Sequence, residues 1–490
     1  MRTLRNYIDG RWAGSSGPGS ITRLNPYDET PVVTLPAGTG EDADTAVRAA
    51  VRAQPAWAAL DLKDRLDRLR HLSAMVQEHV DDLAAVETEE MGKPRRIGAQ
   101  FIRAGLTTFD DALRNAESYP FAHRVKVVDG VATDVQRFPV GVVALIVPWN
   151  FTVTTILMTL GQALAAGNTV VVKPSEKASL SAAAFFDLVE RAGLPAGVVN
   201  LLLGDGHSGA PLAGHPEVDL VHFTGSVRTG RSVAVAAAAN LNRVLLELGG
   251  KDPVVVDSDV DVHAVAEEVA VGSYLNSGQI CTAMERIYVH QDVAGPFLDA
   301  LLEATGRQVV GDPADPETRI GPMVDEDQRR AVHRQVEAAV AAGARVLAGG
   351  ELPEGPGYFY PPTVVVDVSP EMELMCAETF GPVAAVQVVP SFEAGIEEAK
   401  RTGFGLAATV YTAEEEHLKL ARSIPTGVLW LNGWQLGDLG RLIEPAGLSG
   451  MGASGGVHAL DAMTRPTSVS YVVDAVEDGA APAAVSGTSG

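Results

Sequence analysis

The chain is poor in cysteine. Only Cys281 and Cys376 occur in 490 residues. Two thiols build neither a disulfide framework nor, alone, a structural zinc site, so a reducing cytoplasm is the expected compartment. The histidines show no H-E-x-x-H pattern, and no metal is expected. The acidic cluster "DSDVD", Asp257 to Asp261, lacks the glycine and the late glutamate of a calcium loop. It reads as a helix cap ahead of "VHAVAEEV". Basic runs are missing as well. With a net charge of −24 and no Lys/Arg-rich stretch, neither nucleic acid nor an anionic membrane is an expected partner. No apolar run approaches the roughly 20 residues of a bilayer span. The first residues, "MRTLRNYIDGRW", lack the apolar core of a signal peptide.

What is present is length and alternation. A chain of 490 residues exceeds one small core and implies two or three domains. Between residues 62 and 86, Leu62, Leu66, Leu69, Leu72, Val76, Val80 and Leu83 recur at steps of three and four. That spacing predicts one long amphipathic helix. From about residue 140 short buried-strand runs ("VGVVALIV", "NTVVVKP", "GVVNLLLG", "VDLVHFTG") alternate with helical ones. The alternation predicts a parallel sheet covered on both faces. A second alternating series runs from "DPVVVDS" to "LWLNGW" and predicts a second α/β domain. The tail "EDGAAPAAVSGTSG" is small and polar, the composition of a disordered segment.

Three segments carry reactive side chains. In "NSGQICTAMER", Cys281 has small polar neighbours where a buried filler cysteine would have aliphatic ones. A thiolate there is a candidate nucleophile. Glu247 closes an apolar run in "LLELGGKDP", where partial desolvation raises a carboxyl toward the range of a general base. Asn150 follows a buried strand in "VPWNFT" and can aim amide donors at an oxyanion. Singly, each has a plain structural reading: filler cysteine, strand-end glutamate, turn asparagine. Cys376 keeps that reading. Two glycine loops follow strands and open helices, "GDGHSG" at Gly204–Gly209 and "FTGSVRTG" at Phe223–Gly230. The first lacks an acidic residue at the end of the next strand, so the second is the preferred phosphate loop.

The ordered motifs "NYIDGRW", "NPYDETPV", "EEMGKP", "PWNF", "KPSE", "FTGS", "ELGGK", "GQIC", "ETFGPV" and "GFGLAATVYT" span nearly the whole chain. In this order they resemble the aldehyde dehydrogenase superfamily. The resemblance implies an α/β fold: a Rossmann-like NAD domain (residues 1–118 and 140–248), a catalytic domain (249–464) and a strand arm (119–139 and 465–476), followed by a disordered tail at 477–490. The arm implies a homodimer or homotetramer. It implies an oxidoreductase in which Cys281 attacks an aldehyde, Asn150 and the Cys281 N–H hold the oxyanion, and Glu247 activates water on the thioester. Lys173 and Glu176 match the residues that bind the adenosine ribose. Gly225 and Ser226 match the pyrophosphate contacts, and Gly230 the helix packing. Glu378 and Phe380 match those placing the nicotinamide ribose, with Pro148 and Trp149 along the cleft. A carboxylate at Glu176 repels a 2′-phosphate and favours NAD, although Lys173 leaves NADP open.

The chain also departs from the family pattern. Thr152 stands where proline is usual. Met158 stands where many members have an aromatic residue and succinate-semialdehyde enzymes an arginine, so an ω-carboxylate aldehyde is disfavoured. The usual glycine-rich late loop is shortened to "PAGLSGMGASG", with Ala446 in place of phenylalanine, and "NGWQLGDLGRLIEP" before it is longer than usual. A remodelled tunnel mouth over 433–456, lined by Met158, Trp434 and Gln435, is expected, with room for a bulkier aldehyde. A CoA-acylating enzyme typically lacks the water-activating glutamate, and a cysteine esterase or thioesterase needs no cofactor motifs. Both remain rival activities at this point.

Overall fold

The computed structural model describes residues 1–473. The expected tail, 477–490, and the last expected arm positions, 474–476, lie outside them. Two sheets dominate. The first has eight strands in the spatial order Gly450–Met451, Arg243–Glu247, Leu220–Thr224, Val142–Val147, Thr169–Pro174, Val199–Leu201, Asn6–Ile8 and Arg11–Ala13. Its five central strands are parallel, and antiparallel strands flank them. Val142–Val147 and Thr169–Pro174 are buried at every position, because helices cover both faces.

The second sheet has seven strands: Arg345–Ala348, Thr363–Val366, Val383–Val389, Met284–His290, Asp252–Val256, Ala407–Tyr411 and Val428–Leu431. All its pairings are parallel except the Arg345–Ala348 edge. Separate apolar clusters fill its two faces. Four residues, Leu248–Lys251, connect the last parallel strand of the first sheet to a central strand of the second. That short link holds Glu247 at the seam between the sheets.

Two expectations differ from this structure. The helix expected over 62–86 is two helices, Leu62–Glu78 and Val80–Met91. His79 breaks them at φ −116°, ψ 16°, and its Nδ1 lies 2.8 Å from the Met75 carbonyl oxygen, one of the orphan acceptors of the helix end. The apolar stripe continues across the break, so periodicity alone did not reveal it. The chain boundary expected at 248/249 is also crossed. Gly450–Met451 returns to the first sheet and pairs antiparallel with Leu246 and Glu247.

A third, antiparallel sheet joins Ala122–Val128, Val131–Pro139 and Thr464–Val472. It exposes Val125, Val128, Phe138 and Val472. Among the described residues, no helix is long and apolar enough to cross a membrane.

Candidate active site

Parallel strands of the first sheet deliver the motif loops to one edge. Val142–Val147 leads into Pro148, Trp149 and Asn150, Thr169–Pro174 into Ser175 and Glu176, and Leu220–Thr224 into Gly225 and Ser226. The strand order reverses between Val142–Val147 and Leu220–Thr224, the switch point at which open α/β sheets bind ligands. A cleft of about 510 Å³ opens there. Pro148, Trp149, Lys173, Glu176, Gly225 and Ser226 all line it.

The cleft suits a dinucleotide. Ser226 caps the helix Val227–Ala238 through Thr229 N, and the first turn of that helix opens onto the cleft. Gly225 has no room for a side chain, since a Cβ there would meet the Phe223 ring at 2.6 Å. Gly230 likewise lies against Leu248, at 2.5 Å from a built Cβ, which sets the helix close to the sheet. Lys173 is buried, and burial pulls its pKa down to about 8. Its ammonium donates to the carbonyls of Pro174 and Gly204 at 2.9 and 2.7 Å, leaving one of three N–H groups. The first glycine loop reaches the same cleft. Asp205, Gly206 and Gly209 line its wall together with Ser226. The sequence presented the two loops as alternatives, whereas the fold sets both along one cleft.

Cys281 is presented by a locked loop. Asn276, Ser277 and Gly278 all have positive φ (53°, 59° and 68°). A side chain at Gly278 would collide with the Gly381 carbonyl, 2.1 Å from a built Cβ. Gln279 ties the loop together. Its side chain donates to Asn276 O and accepts from Val324 N, and its carbonyl accepts from Asn150 Nδ2 at 3.0 Å and from Asn276 Nδ2 at 3.2 Å. Asn150 is therefore joined to the Cys281 loop, and its second amide N–H remains.

Three acids surround the thiol. Desolvation, then Asp252, Glu378 and Glu247, push the Cys281 pKa up to about 12. Burial raises Glu247 to about 7, against a 2.6 Å hydrogen bond from the Ser454 hydroxyl that favours its charged form. Glu378 is raised to about 8, chiefly by burial, with its carboxylate against Gly249 and accepting from Gly250 N at 3.1 Å. The first glycine of "ELGGK" is thus required by the glutamate of "ETFGP", and the second by Asp252 and the Cys281 carbonyl, 2.6 and 2.7 Å from a built Cβ. Phe380 sits edge-on to Trp149 at 5.4 Å between ring centres. The buried Glu285 anchors its backbone N–H and is itself paired with Lys251 at 2.6 Å. That pair was not singled out in the sequence, where Lys251 reads as a turn residue.

Cys281 and Glu247 line a second cavity of about 180 Å³, with Met158 and Gln435 on its wall. Thr224 belongs to the walls of both cavities. Trp434 does not line this cavity. Its indole donates to Thr282 O at 3.1 Å and buttresses the loop from behind. Ala446 does not widen it either, because Ala446–Gly447 pairs with Phe404–Gly405. Phe101, Phe151 and Trp430 supply the aromatic surface instead. Phe101 and Phe151 come from distant segments packed at 4.4 Å between ring centres, a juxtaposition that no local pattern encodes.

The Aldehyde dehydrogenase family profile matches residues 12–469. Betaine aldehyde dehydrogenase of Beta vulgaris is 36% identical over 438 residues, covering 87% of this chain and 88% of that one. Lactaldehyde dehydrogenase of Escherichia coli is 35% identical over 459 residues, covering 93% and 95%. Its crystal structure superposes with a TM-score of 0.93 at 34% identity, over 96% of this chain and 99% of that chain. A betaine aldehyde dehydrogenase from Staphylococcus aureus in complex with NAD+ gives 0.92 at 30% identity, over 95% and 94%. The chain belongs to the aldehyde dehydrogenase family. Its activity is the NAD-dependent oxidation of an aldehyde to the carboxylic acid.

Proposed function

We propose that Cys281 is the nucleophile, Glu247 the base that activates water, and Asn150 the oxyanion donor. The observation that carries this reading is the shared wall at Thr224. It sets the cavity holding Cys281 and Glu247 directly against the dinucleotide cleft. The resting thiol is neutral, because burial among acids holds its proton. Glu247, poised near neutrality, takes that proton as sulfur attacks the carbonyl carbon. The free N–H of Asn150 and the backbone N–H of Cys281 hold the resulting oxyanion. NAD bound in the cleft supplies the hydride acceptor. Glu247 releases the thiol proton to solvent and then takes a proton from water, whose oxygen attacks the thioester carbon; the adduct expels the Cys281 sulfur, which takes that proton back from Glu247. The acid leaves and the thiol is restored. A water base at this position supports hydrolysis over acyl transfer to coenzyme A.

In the cleft, Lys173 and Glu176 bind the adenosine ribose, and Gly225 and Ser226 with the helix N-terminus bind the pyrophosphate. Gly230 keeps that helix close, Glu378 and Phe380 place the nicotinamide ribose, and Pro148 and Trp149 form the wall. Glu176 favours NAD over NADP. We assign the first sheet to cofactor binding and the second to catalysis. The exposed valines of the third sheet fit an arm that joins subunits in a homodimer or homotetramer. Both cysteines are unpaired, in keeping with a cytoplasmic enzyme whose thiol must stay reduced.

The test is NADH release across a panel of aldehydes, with mass spectrometry of the trapped acyl-enzyme. Acylation is expected on the Cys281 peptide, with NAD outperforming NADP in kcat/KM. Acylation elsewhere removes Cys281 from the reaction, and equal use of NADP removes the role given to Glu176.

A further inference from the structure

Arg441 lies on the wall of the Cys281 cavity. Its Nη2 is buried with no hydrogen-bond partner among the described residues. A guanidinium stays charged, and a buried N–H left unpaired is unfavourable unless a ligand completes it. The rest of the side chain is held in place. Its guanidinium carbon stands 5.4 Å from the centre of the Trp430 ring, and the Trp430 indole donates to Leu436 O at 3.3 Å. Asp438, whose charge acts on Arg441, is exposed, and the two form no ion pair within 4.0 Å among the described residues.

The backbone that carries Arg441 is fixed as firmly. A Cβ on Gly455 would stand 1.9 Å from Arg441 O, so only glycine lets these strands meet. Two residues on, Ile443 exchanges both backbone hydrogen bonds with Ser454, at 2.9 and 2.8 Å. Ser454 in turn holds Glu247. One strand pairing thus seats the water base and sets a cation in the same cavity.

Among the described residues, the only other ionisable groups on this wall besides the nucleophile are Glu247 and His222. Burial pulls the His222 pKa down to about 4, so it is neutral. The cavity therefore presents a guanidinium, the thiol and aromatic surface on its walls. Resting on the assignment of Cys281 made above, we propose that Arg441 binds a carboxylate carried by the substrate. The substrate is then an aldehyde acid whose spacer lies against Phe101, Phe151 and Trp430 while its carbonyl reaches the thiol. This reverses what Met158 implied. The charge absent from the helix Thr152–Ala165 is supplied by the lengthened segment before the late loop.

The experiment compares kcat/KM within matched pairs: 4-formylbenzoic acid against its methyl ester, and succinic semialdehyde against butanal. Wild type is expected to favour the acid by at least about tenfold in one pair or both, the discrimination expected of one charge-assisted hydrogen bond. Arg441→Gln is expected to cut that ratio about 10- to 100-fold, mainly through KM, and Arg441→Lys to restore part of it. A wild-type ratio below tenfold in both pairs overturns the proposal, whether or not the variants fold. So does an unchanged ratio in Arg441→Gln. Oxidation of the ester and butanal without preference for the acids defeats this inference alone. Failure to release NADH from any aldehyde defeats the Cys281 reading with it.

Discussion

Ser454 donates a 2.6 Å hydrogen bond to Glu247 Oε1 across 207 positions of sequence. The neighbouring register explains the reach. Gly450 pairs with Glu247 at the sheet edge, and the chain then turns so that Ser454 meets the carboxylate. The part of the chain that departs most from the family pattern is therefore the part that holds Glu247, the proposed water base. That hydrogen bond opposes the burial that raises Glu247 to about 7. Ser454→Ala removes the opposition, so the Glu247 pKa moves further up. The carboxylate is the working form, and the rising limb of kcat against pH is expected to move to higher pH by about one unit. An unmoved limb in the pH profile would show that Ser454 does not tune the base.

Cys281→Ala removes the nucleophile and leaves the dinucleotide cleft intact, since Cys281 does not line it. NADH formation should fall to background. NAD should still quench the fluorescence of Trp149, which lies on the cleft wall. Loss of cofactor binding along with activity would point to a wider disturbance of the loop.

Glu247→Gln keeps the shape and removes the base. Glu247 serves both the thiol and the water, so acylation and hydrolysis both slow, and turnover should fall about 10²- to 10⁴-fold with no burst of NADH in rapid mixing; a burst equal to the sites would confine Glu247 to the water step. Wild-type steady-state rates in this variant would remove Glu247 from the water step.

Beneath the substrate cavity, Lys93 and Glu87 form a fully buried ion pair at 2.7 Å, and the Lys93 ammonium lies 4.3 Å from the centre of the Phe151 ring. Glu87→Ala leaves the lysine charge unpaired in the interior. Stability should drop by about 3–5 kcal/mol in urea unfolding. The double variant Glu87→Leu, Lys93→Met should lose much less, because no charge is stranded. Equal losses in the two would show that packing, not the charge, is decisive.

The legible part of this protein was the part written in local chemistry. Continuous apolar runs such as Val142–Val147 announced buried parallel strands, because only helices on both faces permit such a run. Glycines at 225, 230 and 278 marked places where a ring, the Leu248 side chain or backbone approaches too closely for a side chain. Asp261 was read as a helix cap, and it accepts from His263 N and Ala264 N. The break at His79 escaped notice because the apolar stripe runs through it.

Sequence by itself determined the α/β class and the ordered motifs, and it picked out Cys281, Glu247 and Asn150 as candidates, since each of these rests on residue type and near neighbours. Only tertiary structure decided that both glycine loops face one cleft, that Trp434 buttresses where Gln435 lines, and that Arg441 Nη2 has no partner in the cavity among the described residues. Those are meetings between segments up to hundreds of residues apart. They are fixed by strand register and by the packing of two sheets, which no short stretch of sequence contains.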